Sequence, residues 1–290
     1  MTSDVNVKIF SSNTCYVPKD LSAITDIQHE VSAEAGGMTV KQVETIWRSV
    51  EDLYKTGNSP LISLCLRRQG QIILNRSLGY AQGNTLDGLS NNAQIANVDT
   101  PVCLFSASKM ITAMLIHLLD ESGEINLLDP VSHYIPEYAQ NGKYRATIFH
   151  LLSHRGGIPR VETEVTPDLL FDKEKILQEL YASKPLAPAG NQLAYHAVTA
   201  GYILGEIIER VTGQDIRQFL HEKIEKPMGM QYFNYGLKPE FRHLVSQNVS
   251  TGLHPTLGTD LYLNRVLGGG LQMAVDMDKA VDYLRERGLA

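Results

Sequence analysis

A chain of 290 residues that is 43% hydrophobic and 20% charged has the composition of a folded globular protein, which excludes the disordered and low-complexity classes. It is long enough to bury a large core, in one large domain or two smaller ones. The 26 Lys and Arg are interspersed with 32 Asp and Glu for a net charge of −6, so no basic stripe is offered to nucleic acid.

Met1 to Phe10 holds no apolar stretch of signal-peptide length, and a cytoplasmic protein is expected. Residues 1–38 read as an N-terminal arm, and residues 39–290 as the folded domain. Thr39 with Gln42 is a capping-box pattern. Val43, Ile46, Trp47, Val50, Leu53 and Tyr54 then recur at helical spacing, and Gly57 suits the position past the helix end. Two strand-like runs follow, Leu61 to Leu66 and Gln71 to Leu78, joined by the hairpin turn Arg67-Arg68-Gln69-Gly70. Residues 81–100, with their Gly, Asn, Asp and Ser, read as a surface loop.

From Ser106 to about Ser122 the pattern is a strongly apolar helix, stopped by Gly123. Its run Met110 to Leu119 is the longest apolar stretch, too short to span a bilayer and broken by Thr112 and His117. A short helix and the turn Gly156-Gly157-Ile158-Pro159 lie within 147–160. Further helices are expected over 173–183, 198–212 and 215–225, the last two separated by Gly213, with Asp215 as a cap. Gly268-Gly269-Gly270 precedes a final amphipathic helix from about Met273 to Arg287. The alternation of strand and helix that builds a doubly wound parallel sheet is absent.

The three cysteines, Cys15, Cys65 and Cys103, are widely spaced, which argues against a disulfide scaffold or structural zinc. The 9 histidines form no ligand spacing with a carboxylate, so no metal and no other cofactor is assigned.

The chemistry concentrates in Ser106-Ala107-Ser108-Lys109. A serine hydroxyl is a poor nucleophile until a base takes its proton. Positions i and i+3 share a helix face, so Lys109 reaches the Ser106 oxygen. The helix N-terminus favours developing negative charge there and, with burial, lowers a lysine pKa. Ser-x-x-Lys by itself arises by chance about once in a chain of this composition. The buried helix that follows makes it more specific, because a lysine in the first turn of such a helix needs a reason. Tyr195 is a second candidate, since a phenol near a lysine can shuttle protons to and from a serine. His196, beside it, either tunes Tyr195 or faces substrate or surface. Gly268 to Gly270 either let backbone approach a ligand or simply turn the chain before the last helix. His154 reads as a hydrogen-bonded structural histidine rather than a base.

Four stretches in this order resemble the serine β-lactamase and penicillin-binding-protein superfamily, in particular the class C β-lactamase-like esterases. They are Phe105-Ser106-Ala107-Ser108-Lys109, then 148–159, then Tyr195 through Gly213, then Gly268-Gly269-Gly270-Leu271. Leu127-Leu128-Asp129-Pro130-Val131 and Ile135-Pro136 are also similar. The likeness runs from about residue 40 to the end. It implies an α/β (α+β) fold of β-lactamase type, with an antiparallel sheet flanked by helices and an all-helical lobe of about residues 110–235. It implies an acyl-enzyme on Ser106, with Lys109 and Tyr195 as the base pair, acting on a small ester or amide. His196, Gly269 and Gly270 are taken, from the residues alone, as candidates for substrate binding. Neither nucleic acid nor a membrane span is expected.

The sequence departs from this family in three ways. The family's Tyr-x-Asn is here Tyr195-His196-Ala197, which lacks the amide that helps hold a β-lactam side chain and so favours small esters. The family's late Lys- or His-Thr-Gly triplet is not found after Tyr195. The chain ends where later strands would follow, which predicts a truncated copy with an incomplete sheet, low solubility and slow turnover. The alternatives are a β-lactamase or D-Ala peptidase, and an inactive or binding-only homologue.

Overall fold

The computed structural model describes residues 12–163, 166–236, 238–249 and 251–253. Gly268, Gly269, Gly270 and the expected final helix lie outside the described residues. The chain divides into two compact units, one running to Cys103 and taking in the segment from Glu240, the other running from Leu104 to Pro239.

The first unit is built on an open antiparallel sheet. Strand β1 (Ser12–Asn13) pairs with the late strand β6 (Gly252–Leu253). Strand β2 (Thr25–Ile27) and strand β3 (Leu61–Arg68) flank the long β4 (Gln71–Thr85), and β5 (Gly88–Ile95) pairs with the far end of β4. The hairpin turn between β3 and β4 is where the sequence placed it. Gln69 and Gly70 both take positive φ, +51° and +77°, which matches the twist of the flanking strands.

Two expectations are corrected here. Residues 81–100 are not simply a surface loop: β4 continues to Thr85 and turns back as β5. The segment ahead of residue 39, read as an arm, supplies β2 to the sheet. Gly79 marks where β4 leaves β3 and takes up β5. Its φ is +118°, and a Cβ there would sit 2.2 Å from the Pro60 carbonyl oxygen, so any other residue would force the strands apart.

Helix α1 (Val40–Tyr54) covers this sheet. Thr39 Oγ1 accepts from the Gln42 N–H while the Gln42 side chain accepts from the Thr39 N–H, so the expected capping box is present. Its apolar stripe of Val43, Trp47 and Tyr54 packs with Ile73, Leu74 and Leu78 of β4. Arg76 of β4 is buried, bonded to Glu30 and Glu44, and its guanidinium lies 5.3 Å from the Trp47 ring centre.

The second unit is helical: α2 (Ser108–Glu121), α3 (Val131–Tyr134), α4 (Ile148–Leu152), α5 (Pro167–Phe171), α6 (Lys173–Ala182), α7 (Thr199–Thr212) and α8 (Ile216–Leu220). One core unites them, with Leu115, Ile116 and Leu119 of α2, Ile176, Leu177 and Leu180 of α6, and Ile203, Leu204, Ile207 and Ile208 of α7. Gly213 ends α7 with φ +72°, and Asp215 caps α8 by accepting from the Arg217 and Gln218 N–H groups, both as the sequence indicates. No helix among the described residues is long and apolar enough to cross a membrane.

Candidate active site

Ser106 does not stand on the α-helix itself. It occupies a 3-10 turn, Phe105–Ala107, that feeds directly into α2 at Ser108. Phe105 takes φ +45°, a conformation uncommon for a residue with a Cβ. Ser108 Oγ donates to the Phe105 carbonyl across 2.5 Å and holds the turn closed. Below it, Leu115, Ile116 and Leu119 anchor α2 in the core, so the turn is carried on a rigid support.

The turn leaves Ser106 exposed and Lys109 one turn further on, with Lys109 Nζ donating to Ser106 Oγ across 3.2 Å. Tyr195 reaches the same oxygen from a distant part of the chain, its hydroxyl donating to Ser106 Oγ across 2.7 Å. The ammonium of Lys109 also lies 4.9 Å from the centre of the Tyr195 ring. Burial by itself would push the Tyr195 phenol up; hydrogen bonds involving Lys109 and Ser106, and the Lys109 charge, outweigh it and hold the phenol below its ordinary value. Two side chains named from the sequence, Lys109 and Tyr195, thus converge on the oxygen of the third, Ser106.

His196 does not join them, which corrects its assignment to substrate binding. It is 1% exposed, and both ring nitrogens are committed to backbone. Nε2 accepts from the Ile158 N–H at 3.2 Å, and Nδ1 lies 2.6 Å from the Ala194 carbonyl. Those partners require a neutral ring carrying its proton on Nδ1. Burial, above all, keeps its pKa below the ordinary histidine value. Gly156 makes room for it, since a Cβ there would stand 3.3 Å from His196 Nε2 and 2.6 Å from Leu151 Cδ2.

His154 takes the place beside the site instead. Its Nδ1 accepts from the His196 N–H at 3.2 Å, and its ring meets the Tyr195 ring edge-on with centres 4.9 Å apart. The sequence identified it as hydrogen-bonded but gave no sign of this contact. Gly269 and Gly270 lie outside the described residues. Among the described residues no group of three His, Cys, Asp or Glu side chains is placed to hold a metal ion.

The Beta-lactamase family pattern matches residues 47–290. Esterase/beta-lactamase LipL of Mycobacterium tuberculosis is 32% identical over 143 residues, 49% of this chain and 33% of that protein. The D-alanyl-D-alanine-carboxypeptidase/endopeptidase AmpH of Escherichia coli is 29% identical over 174 residues, 57% of this chain and 44% of that one. A crystal structure of a family VIII carboxylesterase superposes with a TM-score of 0.65 at 27% identity, covering 76% of this chain and 57% of that one. The matches to the curated relatives span from about a third to about half of their length.

Proposed function

The chain belongs to the Beta-lactamase family, within the serine β-lactamase and penicillin-binding-protein superfamily, and from that premise we propose that it cleaves small esters through an acyl-enzyme on Ser106. The observation that carries this reading is the pair of contacts on one oxygen, Tyr195 OH at 2.7 Å and Lys109 Nζ at 3.2 Å from Ser106 Oγ. A serine with two proton-transfer partners within bonding distance is the arrangement that nucleophilic catalysis needs.

Chemically, once the Tyr195 phenol has lost its own proton to solvent, a loss that the neighbouring Lys109 charge favours, the Ser106 hydroxyl gives its proton to the Tyr195 oxygen. Ser106 Oγ bonds to the ester carbonyl carbon, and the carbonyl oxygen takes the negative charge. The Ser106 N–H, in the turn just ahead of the positive end of α2, donates to that oxygen in this scheme. Collapse breaks the bond to the alcohol oxygen, which leaves with the proton returned from Tyr195. Water then repeats the sequence on acyl-Ser106 and releases the acid.

Small esters are preferred over β-lactams and D-Ala peptides because position 197 is Ala, without the side-chain amide that a β-lactam acylamino group would use. The names of LipL and of the carboxylesterase structure agree with an ester substrate, while the name of AmpH keeps a D-Ala peptidase as the second reading.

The test is labelling with a fluorophosphonate, followed by peptide mapping, with p-nitrophenyl butyrate hydrolysis in parallel. Ser106 is expected to carry the adduct, and Ser106→Ala to lose both adduct and turnover. An adduct on Ser108 or Ser153 with Ser106 unmodified overturns the assignment. Absence of any adduct or turnover supports a binding-only homologue.

A further inference from the structure

The backbone at the end of α4 poses a specific question. Leu152 is the last helical residue and Ser153 the cap, the His154 N–H bonds to the Leu151 carbonyl, and the Arg155 N–H bonds to the His150 carbonyl. This pair of bonds closes a helix with one left-handed residue, a place that glycine usually fills. Here it is His154, at φ +58°. A residue with a Cβ is disfavoured there, so the imidazole must return something that glycine would not.

It returns the second half of a grip around Tyr195, whose first half is the backbone. The His154 carbonyl accepts from the Ala194 N–H at 3.0 Å, and His154 Nδ1 accepts from the His196 N–H at 3.2 Å. The ring rests edge-on against the Tyr195 ring and stacks on that of His196. We infer that His154 is a positioning residue, which fixes the backbone before and after Tyr195 and so holds the phenol on Ser106. This rests on the reading of Ser106 as the nucleophile.

The grip works only with a neutral ring, because Nδ1 must accept. The groups facing His154 favour that state. Lys109 from α2 opposes a second positive charge, and the Tyr195 and His196 rings are uncharged in the resting site. On its own side, His150 is turned to the Thr147 N–H and Arg155 to the Gly190 carbonyl. Burial first, and the Lys109 charge second, hold the His154 pKa below the ordinary histidine value. Protonation would remove the acceptor and release the Tyr195 backbone on its C-terminal side.

Two variants test this. His154→Gly keeps the carbonyl and takes the left-handed backbone readily, so it should fold with an unchanged or higher Tm. Its kcat on p-nitrophenyl butyrate should fall about 10²-fold, the scale of a ~1 Å misplacement, with KM little changed. His154→Asn tolerates the same backbone and places an oxygen acceptor near the position of Nδ1. It should regain most of the rate, and it should lose the part of the wild-type decline in kcat that sets in as pH falls below the ordinary histidine range.

An independent readout is the Tyr195 phenol, titrated by ultraviolet absorbance as the difference from Tyr195→Phe. In His154→Gly it should titrate closer to a free tyrosine. Wild-type kcat and an unchanged Tyr195 titration in His154→Gly overturn the inference, as does a His154→Asn enzyme no faster than His154→Gly. If ester turnover survives Ser106→Ala, the nucleophile reading fails, and the Tyr195 titration alone decides whether His154 positions the phenol.

Discussion

The Tyr195 hydroxyl donates to Ser106 Oγ across 2.7 Å although 89 residues separate them in sequence. Lys109 meets both groups, the serine by a hydrogen bond and the tyrosine ring by its charge. Groups linked this way act as one unit. Lys109→Ala and Tyr195→Phe should each slow acylation by roughly 10²- to 10⁴-fold, and the double variant should be little slower than the worse single one. Burst kinetics on p-nitrophenyl butyrate check this, and losses that multiply would mean two independent roles.

Ala197 makes a prediction about substrate choice. It is half-buried and carries no hydrogen-bonding group. A missing buried partner disfavours a ligand by about 1–3 kcal/mol, roughly 5- to 150-fold. Short p-nitrophenyl esters should therefore be cleaved far faster than nitrocefin, and Ala197→Asn should narrow that ratio. A nitrocefin kcat/KM equal to that of the ester in the unaltered protein would refute it.

What could be read from the sequence divides along physical lines. The capping box of Thr39 and Gln42, the Gln69-Gly70 turn and the α7 stop at Gly213 depend on a few adjacent residues, and all three stand where the sequence puts them. Ser106 and Lys109 are neighbours on one helical turn, so their contact is legible too. Strand β5 was missed because Gly88 to Ile95 is mostly exposed and polar, with no alternating apolar pattern to betray it. Strand β2 is three residues long and exists only through its pairing with β4, far along the chain. His196 was misplaced for a similar reason. Adjacency to Tyr195 says nothing of direction, and the space that draws its ring inward is made by Gly156, 40 residues earlier.

Arg76 ties the start of the first unit to its sheet. Its Nε and Nη2 donate to the two Glu30 oxygens at 2.7 and 3.0 Å, and Nη2 also reaches Glu44 at 2.8 Å. The Glu30 side chain is 17% exposed, so removing the guanidinium strands a largely buried carboxylate, whereas the half-exposed Glu44 remains hydrated. Arg76→Leu should cost about 3 kcal/mol of stability. Glu44→Gln should cost less than about 1 kcal/mol. Adding Glu30→Gln to Arg76→Leu should recover part of the loss, which urea unfolding would measure. Equal effects of Arg76→Leu and Glu44→Gln would contradict the argument.

Lys143 sets a pH dependence on the second unit. It is 1% exposed, and its ammonium donates to the Tyr181 and Ser183 carbonyls at the end of α6, across 2.9 and 2.6 Å. Among the described residues no carboxylate partners it, and burial lowers its pKa from 10.5 to about 8. The unfolded chain therefore holds this proton between about pH 8 and 10.5, where the folded one has released it. Stability must rise with pH across that window, by at most about 3 kcal/mol. Buried tyrosines act in the opposite sense at higher pH. Burial raises the Tyr181 phenol to about 12 and the Tyr138 phenol further, so stability is lost once unfolded tyrosines ionise above about 10. The expected profile climbs from about pH 8, peaks near 10 and then falls. Lys143→Met should flatten the climb and leave the fall, at the expense of two carbonyls without their donor, about 1–3 kcal/mol at neutral pH. Thermal unfolding of both proteins in steps from pH 7 to 11 is the measurement, and a wild-type profile that is flat between 8 and 10 would show that Lys143 keeps its proton in the fold.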